Sequence, residues 1–117
     1  MKGDYKLFVQ DILQAIKDIE TFVKDIDYTQ FSTDEKTKSA VVWQIHIIGE
    51  ATKNVPKSIR DKHEKLPWKY MARIRDKIAH FYFGIDYEIV WDVVKNKLPG
   101  IMPGIERSGL SRTLARA

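Results

Sequence analysis

Seven residues near the start of the chain, Tyr5, Val9, Ile12, Ile16, Ile19, Val23 and Ile26, alternate spacings of four and three. A helix puts all seven on one side, whereas a strand would scatter them over both faces. The stretch is therefore a long amphipathic helix that stops where the stripe stops, at Tyr28. Phe8, Leu13 and Phe22 widen the stripe, so this helix meets two neighbours rather than one. The period also fits a coiled-coil seam, but its early end favours packing inside a bundle.

The same reasoning carries down the chain. Ser32-Thr33-Asp34-Glu35 has the spacing of a capping box, with Ser32 as N-cap and Glu35 reaching back. It opens a second helix to about Lys53, whose middle (Val41, Val42, Trp43, Ile45, Ile47, Ile48) is apolar on most sides. Such a helix is central to a bundle or contributes to an oligomer interface. Gly49 costs it about 1 kcal/mol relative to alanine, which close approach of a neighbouring helix would offset. A short helix is expected from about Pro56 to His63, and another from Pro67 with Trp68, Met71, Ile74 and Ile78 buried. Gly84 ends that helix, and Asp86 caps a last one over Tyr87 to Leu98. Pro99-Gly100 and Pro103-Gly104 read as the end of regular structure. The expectation is an all-α bundle of four to five helices in one domain, residues 1–106, followed by a basic tail, residues 107–117.

Composition excludes several classes. Hydrophobic residues are 44% and charged residues 31%, an ordinary balance for a folded domain. There is no cysteine, which removes disulfides and thiolate metal sites and makes a reducing cytoplasm the default. No signal peptide or membrane span is visible. Net charge is +4, but Arg107, Arg112 and Arg116 supply three of those charges from an acid-free tail. Residues 1–106 are thus nearly neutral, and the basic balance says little about a nucleic-acid partner.

One short stretch gathers chemistry: Arg75, Asp76, His80 and Tyr82. On a continuous helix Asp76 and His80 share a face, as do Arg75 and Tyr82, while Arg75 and His80 diverge by about 140°. For both to act on one phosphate, either the helix ends near His80 or a second copy of the chain supplies one of them. Each residue also has a plain structural role open to it. His80 fits a helix-end histidine bonded to a carbonyl, Arg75 with Asp76 a surface ion-pair network, and Tyr82 a packed aromatic. His46, on its apolar helix, reads as a satisfied core histidine and His63 as a solvated loop residue. No two histidines are spaced for zinc, and no phosphate-binding glycine loop or nucleophile elbow is present.

The run Arg75-Asp-Lys-Ile-Ala-His80-Phe-Tyr82-Phe-Gly84-Ile-Asp86 resembles the Arg-x4-His-x-Tyr signature of the HepT toxins, a branch of the HEPN superfamily. Ile48-Gly49-Glu50-Ala51, Pro67-Trp68, Val90-Trp91 and Leu98-Pro99 match other landmarks of that family in order and spacing. The position after the arginine, often asparagine in the superfamily, is Asp76 here. The resemblance implies a HEPN-like up-and-down bundle and a metal-independent endoribonuclease, with tRNA as the substrate class. It also implies a homodimer whose two signature helices meet across a cleft, and an MntA-type nucleotidyltransferase antitoxin that attaches AMP to Tyr82.

On that reading His80, an imidazole of ordinary pKa about 6.5, transfers the proton as a ribose 2′-OH attacks the adjacent phosphate. Arg75 holds the phosphate and stabilises its developing charge. Asp76 orients the imidazole, and no cofactor is called for. The alternative is a non-catalytic helical subunit that binds nucleotide or presents substrate to a nucleotidyltransferase.

Overall fold

Two long helices set the frame. The computed structural model describes residues 4–79 and 84–110, and within them α1 (Tyr5–Phe22) lies along α3 (Glu35–Lys53) in the largest helix–helix contact. From α1, Val9, Ile12, Ile16 and Ile19 enter the core, as the opening stripe requires. The helix stops at Phe22, earlier than the stripe, because Asp25 turns the chain at φ 63°, a left-handed conformation that aspartate tolerates. Val23 stays buried all the same. Burial follows the period beyond the point where the helix gives out.

Between them stands a helix the periodicity did not reveal, α2 (Tyr28–Thr33). Asp27 caps it, its carboxylate accepting from the Gln30 amide while the Gln30 side chain accepts from the Asp27 amide. Its Phe31 is fully buried against Tyr87 and Trp91. The expected cap at Ser32 is therefore displaced. Ser32 donates to the Thr29 carbonyl, and Asp34 caps α3 by accepting from both the amide and the hydroxyl of Thr37. Those two bonds hold the Asp34 carboxyl below its ordinary range. Glu35 does not reach back; it pairs with Lys38 at 2.9 Å.

Of the two roles expected for the second helix, the central one is realised, since α3 touches α1, α2 and the two short helices over Trp68–Ala72 and Ile74–Ile78. After α4 (Lys57–Lys62), the chain forms α5 (Trp68–Ala72) and α6 (Ile74–Ile78), which both pack on α3 and are separated by a break at Arg73. Gly49 is buried against this pair. A Cβ there would meet Ile74 at 3.6 Å and the Met71 and Ala72 carbonyls at 3.7 Å, ordinary contact distances. The close approach is real but does not demand glycine.

The chain ends in α7 (Tyr87–Asp92), a π-helical turn (Val93–Lys97) and α8 (Leu98–Ser108), which packs on α1. Asp86 caps α7 as expected, accepting from the amides of Glu88 and Ile89. The expected stop at Leu98 is corrected. Pro99 falls in the first turn of α8, where a missing N–H costs nothing. The wide turn just before it gives room where a proline ring would press on the carbonyl four residues back. Leu98, Ile101 and Ile105 continue the buried stripe, Gly109 closes the helix in a left-handed conformation, and Leu110 is buried. The molecule is all-α. The expected four to five helices are recognisable as α1, α3, α4, α5–α6 and α7–α8, with α2 added, and no described helix is long and apolar enough to cross a membrane.

Candidate active site

Ile74 and Ile78 are fully buried and fasten α6 to the core, which leaves Arg75, Asp76 and Lys77 facing outward. Arg75 turns back toward α3. Its Nη1 lies 3.5 Å from Nδ1 of His46, at the outer edge of hydrogen-bond distance. The His46 ring in turn sits 5.4 Å from the ring of Trp43, inclined at 34°. With Ser39 and Val42 from α3 and Tyr87 from α7, these three residues line a groove of about 280 Å³.

His46 is thus not the satisfied core histidine expected from its apolar helix. It is half-buried and lies on the side of α3 away from Val41, Ile45 and Ile48. A finer reading of the spacing finds it: Ser39, Trp43, His46 and Glu50 repeat at four, three and four, a second stripe beside the apolar one.

The helix that was to carry all four signature residues is short. It ends at Ile78, and Ala79 is extended at φ −73° and ψ 134°. Ala79 forms an antiparallel bridge with Ile85, the Asp86 amide donates to the Ile78 carbonyl at 2.8 Å, and Gly84 takes φ 98°, which favours glycine. The two ends of the intervening stretch are pinned together. His80 and Tyr82 lie between them, outside the described residues. The helical face shared by Asp76 with His80, and by Arg75 with Tyr82, loses its premise. So does the 140° divergence of Arg75 from His80, because the first of the two alternatives, a helix ending near His80, is the one realised. That angle no longer argues for a second copy. Asp76 is exposed, does not line the groove, and its carboxylate meets no partner among the described residues.

Two larger grooves flank α4. One, of about 550 Å³, runs from His63 and Leu66 to Gly104 and Arg107; the other, of about 620 Å³, from Arg60 to Lys69 and Arg73. Neither reaches Arg75 or α3. Lys57 there is already paired with Asp61 at 2.9 Å. Tyr70, in the second, has its phenol pushed up by burial and then by Asp92. Among the described residues no three His, Asp or Glu side chains gather as a metal site. What the α3–α6 groove offers chemically is a guanidinium open to solvent, an imidazole touching it and an exposed indole. That is a set for an anion attached to an aromatic group.

Comparison with known proteins points the same way. A family model described as Ribonuclease HepT-like matches residues 12–107. A Methanocaldococcus jannaschii protein with an RNase name is 48% identical over 105 residues, 90% of this chain and 87% of its own. A Thermococcus cleftensis protein named "Probable ribonuclease HepT" is 41% identical over 107 residues, 92% of this chain and 97% of its own. A third, with an RNase name from Caldanaerobacter subterraneus, is 41% identical over 92 residues, 79% and 82% of the two chains. No solved structure matches significantly.

Proposed function

Because this chain belongs to the HepT-like ribonuclease family, we propose that it is an endoribonuclease that cuts RNA at the end of α6. Arg75 carries the reading. It is the one signature residue among the described ones that lines a groove, and its charge faces solvent rather than an acid. A guanidinium so placed donates two parallel hydrogen bonds to the non-bridging oxygens of a phosphate and stabilises the extra charge of the pentavalent state.

His80 supplies the proton transfer. Its imidazole takes the proton of a ribose 2′-OH as that oxygen attacks the neighbouring phosphorus. The bond from phosphorus to the 5′-oxygen breaks, and that oxygen takes a proton from water, which the imidazolium restores. The products are a cyclic 2′,3′-phosphate and a 5′-hydroxyl, and no metal enters the balance. Asp76, its carboxylate free of described partners, orients the imidazole.

The larger setting follows the family resemblance: a homodimer, tRNA as substrate class, and a toxin held in check by an MntA-type nucleotidyltransferase that adenylylates Tyr82. The apolar surplus of α3 lends the dimer little support, because Val41, Ile45, Ile48 and Ala51 are buried within one chain. The decisive experiment incubates the purified protein with total RNA, wild type beside His80→Ala. Cleavage by the first and not by the second supports the reading. An intact RNA pool with both would leave the non-catalytic subunit as the better account.

A further inference from the structure

The groove beside Arg75 has a feature that phosphate chemistry does not use. Trp43 is 58% exposed, the largest exposure among the described large hydrophobic residues, whereas Trp68 is buried and Trp91 half-buried in the aromatic cluster with Phe31. An indole on a rigid helix, one ring away from a guanidinium, calls for a ligand with a flat apolar face. We propose that Trp43 and His46 form a stacking shelf for one base of a single-stranded RNA segment, next to the phosphate that Arg75 holds. The inference rests on the ribonuclease reading and deepens it.

Three observations fit that occupant. First, the order of groups across the groove runs from Trp43 to His46 (5.4 Å between rings) to Arg75 (3.5 Å between nitrogens). An aromatic face followed by a cation is the complement of one nucleotide, base followed by phosphate. Second, arginine has only donors, so a hydrogen bond between the two requires Nδ1 of His46 as its acceptor, and the contact joins the cation to the ring beside the indole. Third, the groove, at about 280 Å³, falls below the usual 300–1,000 Å³ of small-molecule sites. It suits a piece of a polymer better than an enclosed metabolite. Stacking accepts any base, so the shelf predicts binding with little sequence preference. Ser39 and Tyr87, which also line the groove, carry the hydroxyls that would impose one.

The competing occupant of an exposed tryptophan is a second copy of the chain, and one set of measurements separates the two. A short oligoribonucleotide with 2′-O-methyl groups lacks the attacking hydroxyl, so it binds without being cut. Titrated into the wild-type chain, it should quench tryptophan fluorescence. Trp43→Phe should bind within a few-fold of wild type but lose most of the quench. Trp43→Ala should bind roughly ten- to a hundred-fold more weakly, the range expected for loss of one stacked base. Light scattering and helical circular dichroism should be unchanged in both variants, since Trp43 is exposed and is not one of the core residues. Equal affinity of Trp43→Ala and wild type overturns the shelf, and so does a quench that survives in Trp43→Phe. A drop in particle mass with Trp43→Ala, at unchanged affinity per chain, overturns it in favour of a second copy. A wild-type chain that cuts total RNA while Trp43→Ala behaves identically sinks the shelf alone. A wild-type chain that neither binds nor cuts RNA sinks the ribonuclease reading with it.

Discussion

Arg75 and His46 lie on different helices and 29 positions apart, yet Nη1 of one stands 3.5 Å from Nδ1 of the other. The contact bridges α6 and α3 and gives the guanidinium a neighbour inside the groove. An arginine so placed has less freedom to lose when it closes on a phosphate.

His46→Ala should therefore lower kcat/KM for RNA by about tenfold or less, the scale of one exposed hydrogen bond to a charged group. His46→Asn keeps an acceptor at nearly the position of Nδ1 and should recover part of the loss. In an Arg75→Ala background, His46→Ala should retain only the part of its effect that comes from stacking a base beside Trp43. Losses that simply add in the double variant would show that the contact is idle.

Arg75→Ala and His80→Ala should each reduce cleavage by about a hundred-fold or more, the usual weight of a charge-stabilising donor or a general base. The stability outcome is firm for Arg75. Its side chain is exposed and its removal opens no cavity, so the change in unfolding free energy should stay within about 0.5 kcal/mol. Thermal melting beside an RNA assay checks both halves. EDTA should leave the wild-type rate unchanged, since the proposed chemistry uses no metal.

How far this site could be read from sequence depends on the kind of signal. Periodicity found α1 and α3, and side-chain chemistry found the Asp86 cap. It failed where a stronger neighbour competed: Asp34 with Thr37 took the cap that Ser32 and Glu35 spell out. The six residues of α2 are too few to show a period, and only Asp27 with Gln30 marks them. Two Pro-Gly pairs hid α8, although Leu98, Ile101 and Ile105 carried the stripe straight through. The break at Arg73 has neither glycine nor proline to announce it. At the site, Arg75 was legible through a motif, whereas His46 was masked by the apolar residues on both sides of it. A residue 29 positions away enters a site through packing, which no local pattern records.

Gly49 offers a stability test that touches no chemistry. It lies in the interior of α3, where glycine is about 1 kcal/mol less favourable than alanine. The space beside it takes a methyl group at ordinary contact distance from Ile74 and two carbonyls. Gly49→Ala should raise the unfolding free energy by about 0.5–1 kcal/mol, read from denaturant melts. Gly49→Val adds bulk to the same tight interface and should lower it. A destabilising alanine would mean that Ile74 and the two carbonyls leave the methyl group less room than those distances indicate.

Tyr82 is the proposed point of control, and it lies outside the described residues, so its test must be covalent rather than geometric. Ala79 bridges Ile85, and Tyr82 stands three positions from each of them. At most about 14 Å of extended chain therefore lies between it and Ile78, the end of α6. Arg75 occupies that helix, one turn before its close. An AMP group joined to the tyrosine oxygen would bring a negatively charged phosphate, and an adenine, into the neighbourhood of a free guanidinium and an exposed indole. Both are groups proposed here to receive RNA. The modification would fill the groove with a fragment resembling the substrate and repel the incoming strand. The antitoxin-type nucleotidyltransferase with ATP and magnesium should thus add AMP to wild type and abolish cleavage. Tyr82→Phe, incubated in the same way, should gain no mass and go on cutting RNA. Trp43→Ala should still be modified, since the shelf is not the acceptor. Intact-mass spectrometry decides the matter. An adduct of equal yield on Tyr82→Phe would move the acceptor to another side chain, and a modified wild type that still cleaves would separate the modification from control.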